Sequence, residues 1–199
     1  MKTRRENMKR SVFLYAAMFL YLTCFFTACV EPPYFMPTQT VSTYKEQALV
    51  GQFLGTAFTF KWKVVGTNLD CVMGAPGTGW VAVGFNDPNI PASSDKKTNA
   101  NIIIGYVVNG SEVHIQDNYG TSLSTHEMDV HQDVTAISGT ETASPPHTEI
   151  NFTIPLNSGD TQDIALVPGN QYYFFIAYSS YADDFVTYHD DYCITKITL

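Results

Sequence analysis

The chain has 199 residues, 45% apolar and 14% aromatic, which is room for one domain of usual size with a real core plus a short appendage. That composition excludes disorder for the bulk of the chain. Acids outnumber bases, 19 Asp and Glu against 11 Lys and Arg, and the resulting net charge of −8 argues against nucleic acid as a partner, because binding a phosphate backbone needs a basic surface.

The first element is not part of the core. "MKTRRENMKR" supplies five bases and is followed by the apolar run "SVFLYAAMFLYLTCFFTA", the layout of an export signal over residues 1–28. The run ends in "FTAC", and Cys29 after a small residue resembles the bacterial lipobox, in which the cysteine is lipidated and becomes the new N-terminus. Phe26 stands where the usual leucine would be. Ordinary cleavage near Ala28 and an uncleaved anchor are the competing readings, since a run of this length just spans a bilayer. All three place the domain outside the cytoplasm, either membrane-anchored in the periplasm or at the cell surface, or secreted. Loss of residues 1–28 leaves six bases against 18 acids, a net charge near −12.

Residues 29–50, "CVEPPYFMPTQTVSTYKEQALV", hold three prolines and few core residues and read as a flexible tether. The folded part is expected over 51–199. "FTFKWKV" alternates Phe58, Phe60, Trp62 and Val64 with Thr59, Lys61 and Lys63, and "EINFTIPL" repeats the pattern. "GWVAVGF", "NIIIGYVV", "SEVHIQD" and "YYFFIAYS" are further strand-like runs, separated by turn formers such as "GAPGTG", "NDPN" and "NSGD". Asn109-Gly110 marks a hairpin turn. No segment of the mature chain carries a helical period, so the expected fold is all-β, an antiparallel Ig-like sandwich. Of the four cysteines, Cys24 lies in the signal and Cys29 takes the proposed lipid. Cys71 and Cys193 form an even pair in an oxidising compartment, so a disulfide between an early strand and the last one is expected. On the chain-entropy account it would contribute about 4–5 kcal/mol. Two separate buried thiols are the alternative.

In order along the chain, "FTFKWKV", "GWVAVGFND", "NANIIIGYVVNGSEVHIQDNYG", "INFTIPLNSGDTQDIALVPGNQYYFFIAYSS" and "VTYHDDY" resemble a DOMON domain. This module resembles the haem-binding cytochrome part of cellobiose dehydrogenase and the N-terminal module of dopamine β-monooxygenase. The resemblance implies a β-sandwich that binds haem b, a sugar or another small molecule in a sandwich pocket. In haem-binding relatives a methionine after the Gly-Phe strand and a C-terminal histidine hold the iron. The histidine carries over onto His189. The methionine does not, and Lys97 in "SDKKTNAN" falls near its place. A lysine amine ligates iron only when deprotonated. Trp80 and Tyr188 complete the candidate pocket set. No Cys-x-x-Cys-His is present, which excludes covalent haem.

"THEMDVHQD" interleaves His126 and His131 with carboxylates, the donor types for zinc or copper; a solvated loop is the alternative. "YADDF" and "YHDDY" offer hard oxygen donors without the glycine-punctuated loop of a dedicated calcium site. No Gly-x-Ser-x-Gly elbow or His-Glu-x-x-His is found. The expected function is a non-enzymatic module, anchored to the membrane by its lipid, that takes a small-molecule ligand; the alternative is a b-type haem electron-transfer domain working with a redox partner protein.

Overall fold

Strict alternation governs the centre of the molecule. In β3 (Ala57–Val65) the side chains of Phe58, Phe60 and Trp62 are buried, while Thr59, Lys61 and Lys63 on the other face are only partly covered. This is the two-residue period of a strand with one face on a core. The computed structural model describes residues 43–199. The export signal, the proposed lipid at Cys29 and most of the expected tether lie outside the described residues.

The first sheet runs β1 (Lys45–Glu46), β3, β4 (Asn68–Pro76), β10 (Pro146–Pro155) and β9 (Thr135–Ala143), with β2 (Leu49–Val50) also paired to β3. The second runs β12 (Asp191–Thr198), β11 (Gln171–Tyr178), β5 (Val81–Asn86), β6 (Asn101–Val108), β7 (Glu112–Gly120) and β8 (His126–Met128). Every pairing is antiparallel, so the all-β antiparallel sandwich expected from the sequence is the observed fold. The β6–β7 hairpin turns where expected: Asn109 and Gly110 both take positive φ, 53° and 79°, as a tight hairpin requires. Residues 45–50, read as tether, are instead edge strands, because Leu49 finds a place in the core.

Aromatic rings fill the space between the sheets. Phe60 stacks on Trp62 at 5.3 Å and meets Phe174 of the facing sheet at 4.3 Å. Phe85 packs edge-on against Phe174 at 5.6 Å. Ile150, Phe152, Ile103 and Ile176 close the layer and are fully buried. Each such side chain contributes roughly 1.5–3 kcal/mol. These rings occupy the space between the sheets where a ligand pocket was expected, and the cavity described below lies on an outer face.

The expected disulfide is also corrected: Cys71 and Cys193 are both free, buried thiols. Cys193 on β12 lies beneath β2, with the Val50 backbone reaching toward its thiol. Cys71 is on β4, two strands away across the first sheet. Two inter-strand spacings are roughly 9–10 Å, whereas a disulfide needs Cα atoms within about 7 Å. Burial pushes both thiols up, which leaves them protonated and inert.

One polar contact fastens the two sheets at their edge. Asp191, at the start of β12, is fully buried and accepts hydrogen bonds from the backbone N–H groups of Phe53 (2.9 Å), Leu54 (3.0 Å) and Thr56 (3.2 Å), in the loop joining β2 to β3. Burial alone would raise its pKa, but these donors outweigh it and hold the carboxyl well below the usual carboxylate range. Asp191→Ala leaves three backbone donors, that of Thr56 fully buried, without their acceptor and should cost roughly 2–4 kcal/mol in urea unfolding. Because the folded pKa is depressed, the contribution is complete above the unfolded value near 4 and is lost as pH falls below it. Acid unfolding of Asp191→Asn should therefore lack the part of the stability loss that the native chain shows below pH of about 4.

Candidate ligand pocket on the outer face of the second sheet

The second sheet is apolar on both faces. Val81, Val83 and Phe85 of β5 point inward, and Ala82 and Gly84 point out; β6 repeats this with Ile103 in and Ile102 and Ile104 out. Continuous apolar runs of this kind mark strands covered on both sides. Trp80, Ala82, Ile104, Ala177 and Ala182 accordingly form a second apolar cluster outside the sandwich, with Tyr106, Phe185 and Tyr192 packed on it. The ring of Phe175 lies across Gly84, where a Cβ would come within 2.0 Å of it, so only glycine allows that part of the surface to lie flat.

A cavity of about 360 Å³ opens on this face, within the usual size of small-molecule sites. Its floor is Ala82, Ile102, Ile104, Phe175, Ala177 and Ile194. Its walls are loops, each held by an acid. On one side Asp95 accepts from the N–H groups of Lys97 (2.7 Å) and Thr98 (3.2 Å). Lys96 turns back and donates its ammonium to the carbonyls of Pro91, Ala92 and Ser94, so it serves its own loop. Lys97, next in line, lines the pocket. The loop sits so close to β7 that a Cβ on Gly120 would fall 1.8 Å from the Lys97 carbonyl oxygen. On the opposite side Asp184 accepts from the N–H groups of Val186 (2.9 Å) and Thr187 (2.7 Å). Asp190 accepts from Ser180 N–H at 2.7 Å. Between those two acids come Tyr188 and His189, their rings 4.5 Å apart.

All four pocket residues expected from the sequence, His189, Lys97, Trp80 and Tyr188, line this one cavity. His126 joins them, while His131 does not; its Nδ1 is paired with Asp160 instead. His126 was expected only as a weak metal donor, and the signal for its pocket role, its pairing opposite Gly120 at the end of β8, is legible only in the fold. Among the described residues no methionine lines the cavity: Met73 is in the core and Met128 is exposed on β8.

The electrostatics of the three nitrogen bases are coupled. Burial lowers the pKa of His189, and the Lys97 charge lowers it further, against the smaller pull of Asp191 and Asp190. The same two causes lower His126. Burial lowers Lys97 as well, partly offset by Asp95. His126 Nδ1 is 3.2 Å from Asn118 Oδ1; donating there leaves its Nε2 free as a base. The Nδ1 of His189 and the Nε1 of Trp80 are buried without a hydrogen-bond partner, which is unusual for polar atoms at this depth.

The DOMON domain family matches residues 54–179 of the chain. Among solved structures, the cytochrome b domain of pyranose dehydrogenase from Coprinopsis cinerea superposes with a TM-score of 0.54 at 12% identity, covering 78% of this chain and 80% of that one. A putative carbohydrate-binding protein from Bacteroides uniformis gives a TM-score of 0.41 at 10% identity over 77% of each chain. At such identities the first likeness is one of fold. No curated protein matches the sequence.

The coupling can be read by NMR. The imidazoles of His189 and His126 should both titrate below the ordinary value near 6.5. In Lys97→Gln both midpoints should move up, by the share that the Lys97 charge contributes, with burial still holding them down. Midpoints that stay put in the variant would refute the placement of Lys97 beside both rings.

Proposed function

The chain belongs to the DOMON domain family, and from that premise we propose that it is a non-catalytic binding module that carries haem b on the outer face of its second sheet, with His189 as one iron ligand. The observation that carries this reading is the gathering of His189, His126 and Lys97 at one apolar cavity, each with its proton affinity lowered. Neutral nitrogen is the form in which imidazole and amine bind iron. The flat floor of Ala82, Ile102, Ile104 and Ala177 suits a planar apolar face. Bound there, haem would supply reversible one-electron transfer. The cytochrome b domain of pyranose dehydrogenase, alike in fold, makes the group a natural one to try.

His189 fills the role that the family resemblance assigns to it. The second ligand would be a nitrogen rather than a thioether, and it would favour the ferric state relative to methionine. Imidazole is already neutral at pH 7, whereas Lys97 must first lose a proton, so His126 is the better supported partner and Lys97 the alternative. Such a domain would exchange electrons with a partner protein. The basic, then apolar, N-terminus supports export, and Cys29 a lipid tether; mass spectrometry of the native N-terminus should find a diacylated Cys29, and an unmodified Cys29 or another cleavage point would refute the tether.

Expression with haem available should give a protein whose Soret band shifts on reduction. His189→Ala should abolish the band or convert it to a high-spin form, and His126→Ala should perturb it more than Lys97→Gln. A protein that stays colourless after haem reconstitution would overturn the haem reading. In that case the exposed rings of Phe53 and Tyr188 beside the unpartnered Trp80 N–H would favour a sugar, testable by glycan-array binding lost in Trp80→Ala.

A further inference from the structure

Carboxylates occupy a place where the core would otherwise continue. Asp117 on β7 follows Val113 and Ile115 on the inward face of that strand and stands opposite the fully buried Ile103. It is 1% exposed, and neither of its carboxylate oxygens has a hydrogen-bond partner. Asp129, just past β8, is equally buried; its Oδ1 accepts from His131 N–H at 2.9 Å, and its Oδ2 is unpartnered. Asn101, at the start of β6, donates through Nδ2 to Asp163 Oδ1 at 2.7 Å, and its buried Oδ1 is unpartnered. The Asp133 backbone N–H points toward the Asp117 carboxylate without completing a hydrogen bond.

An ordinary buried polar cluster satisfies itself. This one is built so that it does not. The Gln132 side chain ties the segments together, accepting from Asp117 N–H (2.9 Å) and donating to the carbonyls of Asp117 and Asp129 (both 2.8 Å), yet it engages none of the carboxylates. On the rim Asp129, His131 and Asp160 each bring a ligand atom within 4.8 Å of the others. His131 is committed to Asp160, so the inner donors are all oxygen. Four oxygens on three buried side chains, with Asp163 beside them, are left without a hydrogen-bond partner among the described residues.

We propose that Asn101, Asp117 and Asp129 form a binding site for a hard divalent cation of the calcium class, which pins the 129–134 loop to β6 and β7. Oxygen-only donors, two of the three side chains carboxylates, are the chemistry of calcium rather than zinc, with water completing the six to eight positions usual for that ion. The site stands apart from the pocket and does not depend on what the pocket holds. In the cation-free protein, burial and then the charges of Asp163 and Asp129 push Asp117 up to about 8.

The test uses the full-length chain, purified in detergent and stripped with EDTA. Calcium chloride should bind in isothermal titration. At a hundredfold excess over Kd it should raise Tm by roughly 5–10 °C. Asp129→Asn and Asp117→Asn should lose that response. Asp117→Asn relieves repulsion, so without cation it should melt above the stripped native chain, which separates lost binding from lost folding. If it fails to fold, Asp129→Asn, which relieves the same repulsion, serves in its place. No heat and no Tm shift with millimolar calcium would overturn the proposal. So would a response to zinc alone that disappears in His131→Ala, which would move the site to the Asp129, His131 and Asp160 rim.

Discussion

Close packing of rings between the two sheets is the constraint on which the rest of the molecule depends. Phe60 of the first sheet meets Phe85 and Phe174 of the second at 6.1 and 4.3 Å, and packing of this kind fills the space between the sheets with side chains. A site on an outer face then needs an apolar floor of its own. The second sheet meets that demand because its strands are apolar on both sides. Small residues there, Ala82, Gly84 and Ala177, leave a shallow floor; Tyr106, Phe185 and Tyr192 cover part of the outer apolar surface, and the part left open is the pocket.

The acidic character of the chain divides into two kinds of carboxylate. Asp95, Asp184, Asp190 and Asp191 each accept backbone N–H bonds and so hold the loops that wall the pocket. These are local turns and long-range fasteners whose charge is satisfied by donors from the chain itself. Asp117 and Asp129 are as deeply buried as Asp191, but donors do not converge on them. Asp191 is held ionised by its neighbours, whereas Asp117 is pushed the other way by burial and by other acids. The same side chain in equal burial thus serves opposite ends, decided by whether amide N–H groups or carboxylates surround it.

The sandwich was legible in the sequence wherever one face of a strand is buried and the other is not, as in "FTFKWKV" and "EINFTIPL". β4 was harder to see, because "CVMGA" is buried on both faces and does not alternate. β9 was harder for the opposite reason: "TAISGTETA" is an edge strand with a single buried residue and so lacks an apolar face. The same blindness hid the pocket. "NIIIGYVV" and "GWVAVGF" read as strands, yet their continuous apolar runs also mean that the sheet is covered outside, and that second meaning locates the cavity on the outer face. His189 and Lys97 were found by family resemblance, and Trp80 and Tyr188 by their places in the motifs. His126 and Asp117 were not singled out in those roles, since what makes them notable is the company that distant loops bring to them.

Strand β7 joins the two polar sites. Its inward residue Asp117 belongs to the acidic cluster, and the next residue, Asn118, points outward and holds His126 at the pocket wall. His126 sits on β8, a strand of three residues at the sheet edge, and a strand that short has little pairing of its own to fix it. Asp129 follows directly and hydrogen-bonds its N–H to the Asp117 carbonyl at 3.0 Å, with Gln132 bridging the same two segments. Whatever neutralises Asp117 and Asp129 together therefore also fixes β8 against β7. That in turn sets the position of His126 at the cavity wall. Repulsion between the two carboxylates would work the other way, loosening the wall of the pocket that carries His126.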